Sequence, residues 1–278
     1  MKEMTLDDLH AFCLEIAKDV HRFCESNGIR YSLAYGSLIG AVRHKGFIPW
    51  DDDIDIVMPR PDYDRFCHSY KSDTFKLAAS ENTFIAYARV FDNERTFCRT
   101  LGPWLKNGRE GVFIDIFPMD AVSEDKSSFT DQRDRARKVL KLQLDNRGAK
   151  KDLLDLFRIL PFKEAIKSLK VTLRNRFFYD GETDLDEISR RYEQLLTENK
   201  WEESKYCAVL AYVNDRISQP VPISFWDDLV LTGFEDTVFY IFRSYDRVLK
   251  DVYGDYMEIP PVDQREQHAL AIARFYFR

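Results

Sequence analysis

The sequence predicts an α+β protein in which helices flank a sheet. Strand-like apolar runs recur through the first 120 residues, and helical patterns precede them and fill the middle of the chain. With 278 residues, 45% of them apolar, the chain can bury a large core. We expect one domain over residues 1–278, with a sheet-bearing core at 1–120, a mostly helical basic region at 121–205 and a mixed segment at 206–278.

An amphipathic helix opens the chain. Thr5 is a typical N-cap and Gly28 a typical helix end. The apolar residues between them repeat at helical spacing: Leu6, Leu9, Phe12, Ile16, Val20 and Phe23.

A strand ending near Tyr35 is predicted next, followed by Gly36-Ser37 and a helical run from Leu38 to His44. Such a turn leaves backbone N–H groups and a hydroxyl at a helix start, which suits a phosphate group. Gly36 and Ser37 are therefore candidate phosphate-binding residues. A plain helix cap is the alternative for Ser37.

The loop after this turn concentrates positive charge in Arg43, His44 and Lys45. These side chains either neutralise a bound diphosphate or form a solvated loop, and the sequence favours neither. Trp50 is either a core residue or an aromatic surface on which a base stacks.

An acidic strand follows. From Asp53 to Met58, acidic and apolar residues alternate with the two-residue period of a strand, so Asp53 and Asp55 share one face. Two carboxylates so close repel each other unless a cation lies between them, and hard oxygen ligands suit Mg²⁺ or Mn²⁺. An acidic strand end without a ligand is the alternative.

Pro59 and Pro61 end this strand, and Pro61 begins a helix that we expect to reach about Tyr70. Further strands are expected at 75–79, 84–91 and 112–117. Asp115 is the one acid in the last of these apolar runs, where it is costly unless paired or metal-bound, so it is the third candidate ligand. Arg89 must either pair with an acid or reach substrate.

Three carboxylates on neighbouring strands can meet, since strands lie about 4.8 Å apart. Together Asp53, Asp55 and Asp115 could hold two divalent ions, the arrangement that clamps the attacking and leaving oxygens in phosphoryl transfer. Asp115 is also a candidate acceptor for the proton of an attacking hydroxyl.

The middle of the chain is basic within an acidic protein. Residues 133–176 contain 14 Lys and Arg against 5 Asp and Glu, whereas the whole chain carries a net charge of −6. We expect a polar loop at 120–129 and helices after it. Past Pro161, one helical stripe is apolar and a second holds Lys163, Lys167, Lys170 and Arg174, which fits either an anionic membrane surface or packing on the domain itself.

The C-terminal segment is predicted to be mixed. Apolar runs lie at 221–225 and 237–242, and a helix is expected from about Ser244 to Tyr253, closed by Gly254. His268 is a weak candidate for the site.

Several classes of protein are excluded. Five cysteines in an odd, scattered set argue against zinc and disulfides, and no apolar run is long enough to span a bilayer, so a cytoplasmic protein is expected. Nucleic-acid binding is disfavoured because no aromatic residues interleave the basic charges.

Three motifs together resemble the LicD family, which includes phosphorylcholine transferases, fukutin and fukutin-related protein. They are Gly36-Ser37, residues 41–55 (AVRHKGFIPWDDDID) and residues 113–118 (FIDIFP), supported by Tyr253-Gly254-Asp255-Tyr256-Met257 before Pro260-Pro261. The resemblance implies a nucleotidyltransferase-like mixed sheet at 1–120, with Asp53, Asp55 and Asp115 as metal ligands.

The resemblance also implies an activity, namely transfer of a phospho-alcohol such as phosphocholine from a CDP-linked donor to a glycan hydroxyl, with Mg²⁺ or Mn²⁺ and release of CMP. The acceptor would be a cell-surface glycan or its lipid-linked precursor at the inner membrane face. Alternatives are a nucleotidyltransferase acting on a small molecule and a non-catalytic member that binds glycan or nucleotide. Two departures from the pattern are a 15-residue separation between Ser37 and Asp53 and Phe242 in place of a proline.

Overall fold

The computed structural model describes the chain except residues 80, 81, 84, 101–103, 106–108, 150–156, 161, 179–184, 212–218 and 266–268. The helices are α1 (Leu6–Asn27), α2 (Tyr35–Ile39), α3 (Arg60–Ser69), α4 (Lys126–Ala149), α5 (Phe162–Phe178), α6 (Leu185–Leu196), α7 (Tyr245–Tyr253) and α8 (Ala269–Ile272). The strands are β1 (Ser32–Leu33), β2 (Asp55–Pro59), β3 (Lys76–Ala78), β4 (Ala88–Asp92), β5 (Thr96–Thr100), β6 (Val112–Val122), β7 (Tyr206–Ala208), β8 (Val221–Pro222), β9 (Leu229–Phe234), β10 (Thr237–Phe242) and β11 (Ala273–Phe277).

A mixed seven-stranded sheet organises the fold, which confirms the predicted α+β class. Its main path runs β1-β2-β6-β4-β3, and β7 and β8 extend it from the far end of β6. Strand β2 runs parallel to β6, whereas β1, β4 and β7 pair antiparallel with their neighbours. Two smaller antiparallel pairs, β9-β10 and β5-β11, lie outside this sheet.

The first helix forms as the sequence predicts. Thr5 and Asp8 make a reciprocal capping box at its start, and Gly28 ends it in the left-handed conformation, with φ 59°. Its buried residues, among them Leu9, Ile16 and Val20, join the main hydrophobic core together with Ile56 and Met58 of β2 and Ile54 just before it. The predicted apolar face of the acidic strand is therefore confirmed.

Several boundaries differ from the prediction. Strand β2 begins at Asp55 rather than at Asp53, and the strand expected at 84–91 begins at Ala88. Helix α2 begins at Tyr35, so Gly36 and Ser37 lie inside its first turn, and a π-helical turn continues it from Gly40 to His44. Strand β6 continues to Val122 and α4 begins at Lys126, so the polar loop predicted at 120–129 is wrong for most of its length. Asp120 lies on this strand and is fully buried.

Phe242 ends the strand β10 in regular pairing, and its backbone N–H donates to Ser32 Oγ at 3.3 Å. Its ring packs against Trp226 with a centroid distance of 4.6 Å. Phe242, which stands where the family pattern has a proline, is thus held by regular strand pairing before α7.

The described part of the basic region contains the helices α4, α5 and α6. In α5, Ala165 is buried, but Phe162 and Ile166 of the predicted apolar stripe are 71% and 36% exposed, and Lys163 and Lys170 are exposed beside them. Among the described residues, none of the helices is both long and apolar enough to cross a membrane. All five cysteines are free thiols.

Candidate active site

One row across the sheet brings three charged side chains together. In the parallel pairing of β2 with β6, Asp55 lies directly opposite Asp115. In the antiparallel pairing of β6 with β4, Asp115 lies opposite Arg89. Residues opposite one another in neighbouring strands project to the same face, so Asp55, Asp115 and Arg89 form one line on the sheet.

Asp53 lies just before this row, in the irregular segment that leads into β2. Asp51, Asp52 and Asp53 each offer a carboxylate oxygen, and these oxygens lie within 4.8 Å of one another. The sequence pattern selected Asp53 and Asp55 by strand alternation. Strand pairing begins only at Asp55, so the alternation does not apply to 51–53, and it therefore missed Asp51.

The electrostatics of these acids reflect their burial and closeness. Burial first, and then repulsion from Asp55 and its acidic neighbours, raises the pKa of Asp53 well above its usual value. The pKa of Asp55 is raised in the same way, by burial first and then by Asp115, while Arg89 opposes the shift. A cation placed among these carboxylates would remove that repulsion.

The acids line a cleft of about 610 Å³. Its charged lining comprises Arg43, Asp51, Asp53, Asp55, Arg89, Asp115, Asp255 and Glu258, and its aromatic lining comprises Tyr35, Trp50, Tyr87, Trp104, Phe113, Phe117, Tyr253 and Tyr256. A cleft of this size with convergent charged groups is typical of a small-molecule site. Most of the aromatic lining was not identified from the sequence.

The Gly-Ser pair is positioned by the acidic segment. A Cβ atom at Gly36 would lie 2.3 Å from Asp51 Oδ2, so only glycine lets this carboxylate approach the helix start. Ser37 is buried, and its hydroxyl accepts a hydrogen bond from the backbone N–H of Asp55 at 2.9 Å. Gly36 lines the cleft and Ser37 fastens α2 to β2, so phosphate contact by Ser37 stays a prediction.

The basic cluster divides into different roles. Arg43 lines the cleft, and its Nη1 donates to the carbonyl oxygens of Tyr256 at 2.5 Å and Glu258 at 2.9 Å. His44 packs edge-on against Trp50, and burial together with Arg43 lowers the pKa of its imidazole. Lys45 is exposed in the left-handed conformation, and neither it nor His44 lies among the cleft-lining residues.

Trp50 lines the cleft and is covered on its ring by Arg265, whose guanidinium carbon lies 4.2 Å from the centroid. This contact joins the acidic segment to the C-terminal part of the chain. Whether Trp50 also stacks on a base stays a prediction.

Arg89 pairs with an acid and also lines the cleft, so its contact with substrate stays a prediction. Its Nε and Nη2 donate to the two oxygens of Asp115 at 2.5 and 3.0 Å. Its guanidinium carbon lies 3.9 Å from the ring centroid of Trp104 and 3.8 Å from that of Phe113. A guanidinium that lies against two aromatic rings and donates to both carboxylate oxygens holds Asp115 in a fixed orientation at the cleft.

Asp52 ties the end of the chain to the site. Its carboxylate accepts hydrogen bonds from the backbone N–H groups of Ala269 at 3.1 Å and Leu270 at 2.7 Å, at the start of α8. Sequence reasoning gave Asp52 no role because its partners lie more than 200 residues away. His268 lies outside the described residues.

A mixed sheet that carries clustered carboxylates beside a Gly-Ser helix start defines a nucleotidyltransferase-like domain. The sequence model of the family described as "LicD/FKTN/FKRP, nucleotidyltransferase domain" matches residues 28–145. The chain is 30% identical to the lipopolysaccharide cholinephosphotransferase LicD of Haemophilus influenzae, over 97% of this chain and 98% of that protein. The chain belongs to the LicD family.

A second relative matches over a shorter stretch. The human ribitol 5-phosphate transferase FKRP is 44% identical over 48 residues, which are 16% of this chain and 10% of that protein, and the mouse protein matches to the same extent. The two named relatives transfer different phospho-alcohols, so family membership leaves the alcohol open.

Proposed function

We propose that this protein is a phosphotransferase that moves a phospho-alcohol from a CDP-linked donor to a hydroxyl of a cell-surface glycan or its lipid-linked precursor. Phosphocholine is the first candidate for the group transferred, because the relative that matches along nearly the whole chain is named a cholinephosphotransferase. The observation that carries the proposal is the row Asp55–Asp115–Arg89 inside the cleft.

The donor set fits a divalent cation. Asp53 and Asp55 line the cleft, and burial with mutual repulsion raises the pKa of each, so a cation would relieve a real electrostatic cost. Asp53 and Asp55 would hold Mg²⁺ or Mn²⁺, with Asp51 close by and Asp115 as the predicted third ligand. When bound, the ion would neutralise the diphosphate and stabilise charge that develops during transfer.

The residues of the chain would then orient the reactants. The acceptor hydroxyl oxygen forms a bond to the phosphorus that bears the alcohol, and the bond from that phosphorus to the bridging oxygen breaks, so CMP leaves with the bridging oxygen. Asp115 is the proposed acceptor of the hydroxyl proton, because Arg89 fixes its carboxylate at the cleft. Arg43, which lines the cleft, is the proposed contact for the donor diphosphate.

The test measures CMP released from CDP-choline, CDP-ribitol and CDP-glycerol by purified protein with Mg²⁺ and a glycan acceptor. Asp55→Asn should reduce turnover at least 100-fold with the fold retained. Asp131→Asn, a change of the same chemistry at an exposed carboxylate on α4, is the matched control and should keep full activity. Full activity in Asp55→Asn would contradict the proposal.

The second candidate function is nucleotidyl transfer, which the family description favours by its wording. Product analysis separates the two reactions, because a nucleotidyltransferase releases pyrophosphate from a nucleoside triphosphate whereas the proposed reaction releases CMP from a CDP-alcohol. A third outcome, Mg²⁺-dependent nucleotide binding without turnover, would indicate a non-catalytic member.

We further propose that α5 brings the protein to an anionic membrane that carries a lipid-linked acceptor, at the cytoplasmic face. The support is the pairing of exposed apolar residues, Phe162 and Ile166, with exposed Lys163 and Lys170 on one helix. An amphipathic helix with basic flanks binds such a surface because its apolar side chains are buried in the membrane and its basic side chains are attracted to anionic lipids.

A further inference from the structure

The cleft contains a group of aromatic rings next to the carboxylate row. Phe117 follows Asp115 by two residues on β6, and Tyr87 precedes Arg89 by two residues at the start of β4. Because side chains alternate along a strand, the ring of Phe117 lies on the same face as the charged row, about 7 Å further along it. Tyr87 lies just before β4, and its ring contacts that of Phe117 in the cleft. Tyr35, at the start of α2, completes the group.

The ring of Phe117 packs against each of the other two rings at an inclination. The centroid of Phe117 lies 4.3 Å from that of Tyr87 with planes at 39°, and 5.7 Å from that of Tyr35 with planes at 79°. Phe117 is 2% exposed, Tyr35 and Tyr87 are half-buried, and all three line the cleft. Rings set at such angles fit a rounded group, whereas a flat base needs one ring face parallel to it.

The backbone of Tyr35 is a second, independent observation. Its φ is +49°, a left-handed conformation that is an outlier for a bulky aromatic residue. Strain of this kind persists where the surrounding structure requires it, and it clusters at ligand sites. Here the unusual conformation belongs to the residue that contributes its ring to the cleft.

The chemistry of this surface selects a cation. Aromatic ring faces attract quaternary ammonium groups, and these three rings line the cleft beside the carboxylate row. The guanidinium carbon of Arg89 lies 5.7 Å from the ring centroid of Tyr87, and the positive charge of Arg89 is offset by its bidentate pair with Asp115. In phosphocholine, an ester oxygen and a two-carbon chain separate the phosphorus from the nitrogen, a span comparable to the step along the strand from the acids to the rings.

We infer that Tyr35, Tyr87 and Phe117 form a subsite for the trimethylammonium group of the donor, which makes them the residues that determine which alcohol is transferred. The inference rests on the proposed function, since it places a CDP-alcohol in this cleft. The subsite prefers a quaternary ammonium to a polyol such as ribitol or glycerol, because hydroxyl groups gain nothing from the ring faces.

The test compares CDP-choline with its neutral carbon isostere, the CDP ester of 3,3-dimethylbutanol, which has the same shape without the charge. Calorimetry with Mg²⁺ should give CDP-choline a dissociation constant lower by about 3- to 30-fold. Tyr87→Leu should abolish this difference, and Tyr87→Phe, which keeps the ring, should retain it. CMP alone serves as the probe for base stacking, and its affinity should be unchanged in Tyr87→Leu.

Equal affinities for the two esters in the unaltered protein, or no binding of CDP-choline, would overturn the subsite, and so would an equal loss of affinity for CMP in Tyr87→Leu. The comparison in the unaltered protein decides the matter even if a variant fails to fold. Release of CMP at equal rates from both esters would overturn the subsite and keep the proposed function. Tighter binding of CDP-choline than of the neutral ester, without CMP release, would support the subsite and overturn the proposed function.

Discussion

At the scale of single residues, folding disfavours the ionised forms of two acids in the cleft, Asp53 and Asp55. Asp53 and Asp55 are close to one another and to Asp115, and burial raises the pKa of both well above the ordinary value near 3.9. A raised pKa means that folding favours the protonated form. In the metal-free protein these two groups therefore contribute stability that is fully present below their unfolded-state pKa and is lost as the pH rises through their folded-state pKa values.

Divalent cations should reverse this loss. Mg²⁺ binds the deprotonated carboxylates, so the increase in Tm on adding Mg²⁺ should be larger at pH 8 than at pH 5, and saturating ion at 100 times Kd should add about 2.7 kcal/mol. Differential scanning calorimetry at the two pH values measures the difference. Asp55→Asn should lessen it, and an identical Mg²⁺ effect at both pH values would contradict the prediction.

Arg89 is the second residue whose role the structure defines. Arg89→Lys keeps the charge but loses the two-point contact with Asp115 and the fit between Trp104 and Phe113. We expect turnover to fall at least 10-fold and stability to fall by about 2–4 kcal/mol. CMP release and urea unfolding report the two effects.

Arg243→Lys is the matched control for this change. Arg243 Nε lies 2.8 and 2.9 Å from the two oxygens of Asp228 on the surface, where ion pairs contribute about 0–1 kcal/mol. Equal losses in the free energy of unfolding of the two variants would show that the buried position of Arg89 adds no stability to its ion pair.

At the scale of elements, β6 explains both a success and a failure of sequence reasoning. Its apolar run identified Asp115 correctly as an acid inside a buried strand, but the strand expected at 112–117 continues through Pro118 to Val122. The backbone N–H of Asp115 donates to the carbonyl of Ile54, on the β2 side of β6. Backbone N–H groups alternate between the two edges of a strand, so the nitrogen of Pro118 faces the opposite edge, where β4 pairs. On that edge, pairing with β4 stops at Ile116, so no N–H is needed at Pro118 and the strand continues.

The amphipathic helix α5 is the element whose surroundings the sequence could not decide. An apolar stripe predicts packing, yet only contacts with the rest of the fold determine whether the stripe is covered, and Phe162 is 71% exposed. The periodicity thus predicted the helix and its two faces, whereas the exposure of one face follows from tertiary structure.

Co-sedimentation with lipid vesicles tests the role of this helix. Binding to vesicles with 30% anionic lipid should exceed binding to neutral vesicles, and Lys163→Glu with Lys170→Glu should reduce it at least 10-fold, because each basic residue near such a surface contributes about 1 kcal/mol. Lys200→Glu with Lys205→Glu, at exposed lysines outside α5, controls for net charge. Equal binding of all variants would contradict membrane attachment through α5.

At the scale of the whole molecule, a buried ion cluster fastens the helical region to the sheet. Arg60 Nε contacts Asp120 Oδ1 on β6 at 2.5 Å, and Arg60 Nη1 contacts Glu193 on α6 at 2.8 Å. Asp120 is fully buried, and burial raises its pKa to about 6 despite the neighbouring Arg60. The three partners are 60 to 133 residues apart in the chain, so no local pattern in the sequence reveals them.

Removing Arg60 should therefore destabilise the protein strongly. Arg60→Met leaves Asp120 without its cation and should lower the free energy of unfolding by about 3–5 kcal/mol, measured by urea denaturation. Arg135→Met, which breaks exposed pairs with Asp131 and Glu198, should cost at most about 1 kcal/mol. A loss below 1 kcal/mol in Arg60→Met would show that this cluster does not secure the helical region.

A single strand therefore carries the site and the anchor of the helical region, with Asp115 and Asp120 only five positions apart. Inserting or deleting one residue between them would turn one of the two carboxylates to the opposite side of the sheet, because successive side chains alternate. Diversification of this enzyme by length changes is consequently confined to the connections between strands. Libraries that seek new donors should vary the residues at Tyr35 and Tyr87 and leave the length of β6 untouched.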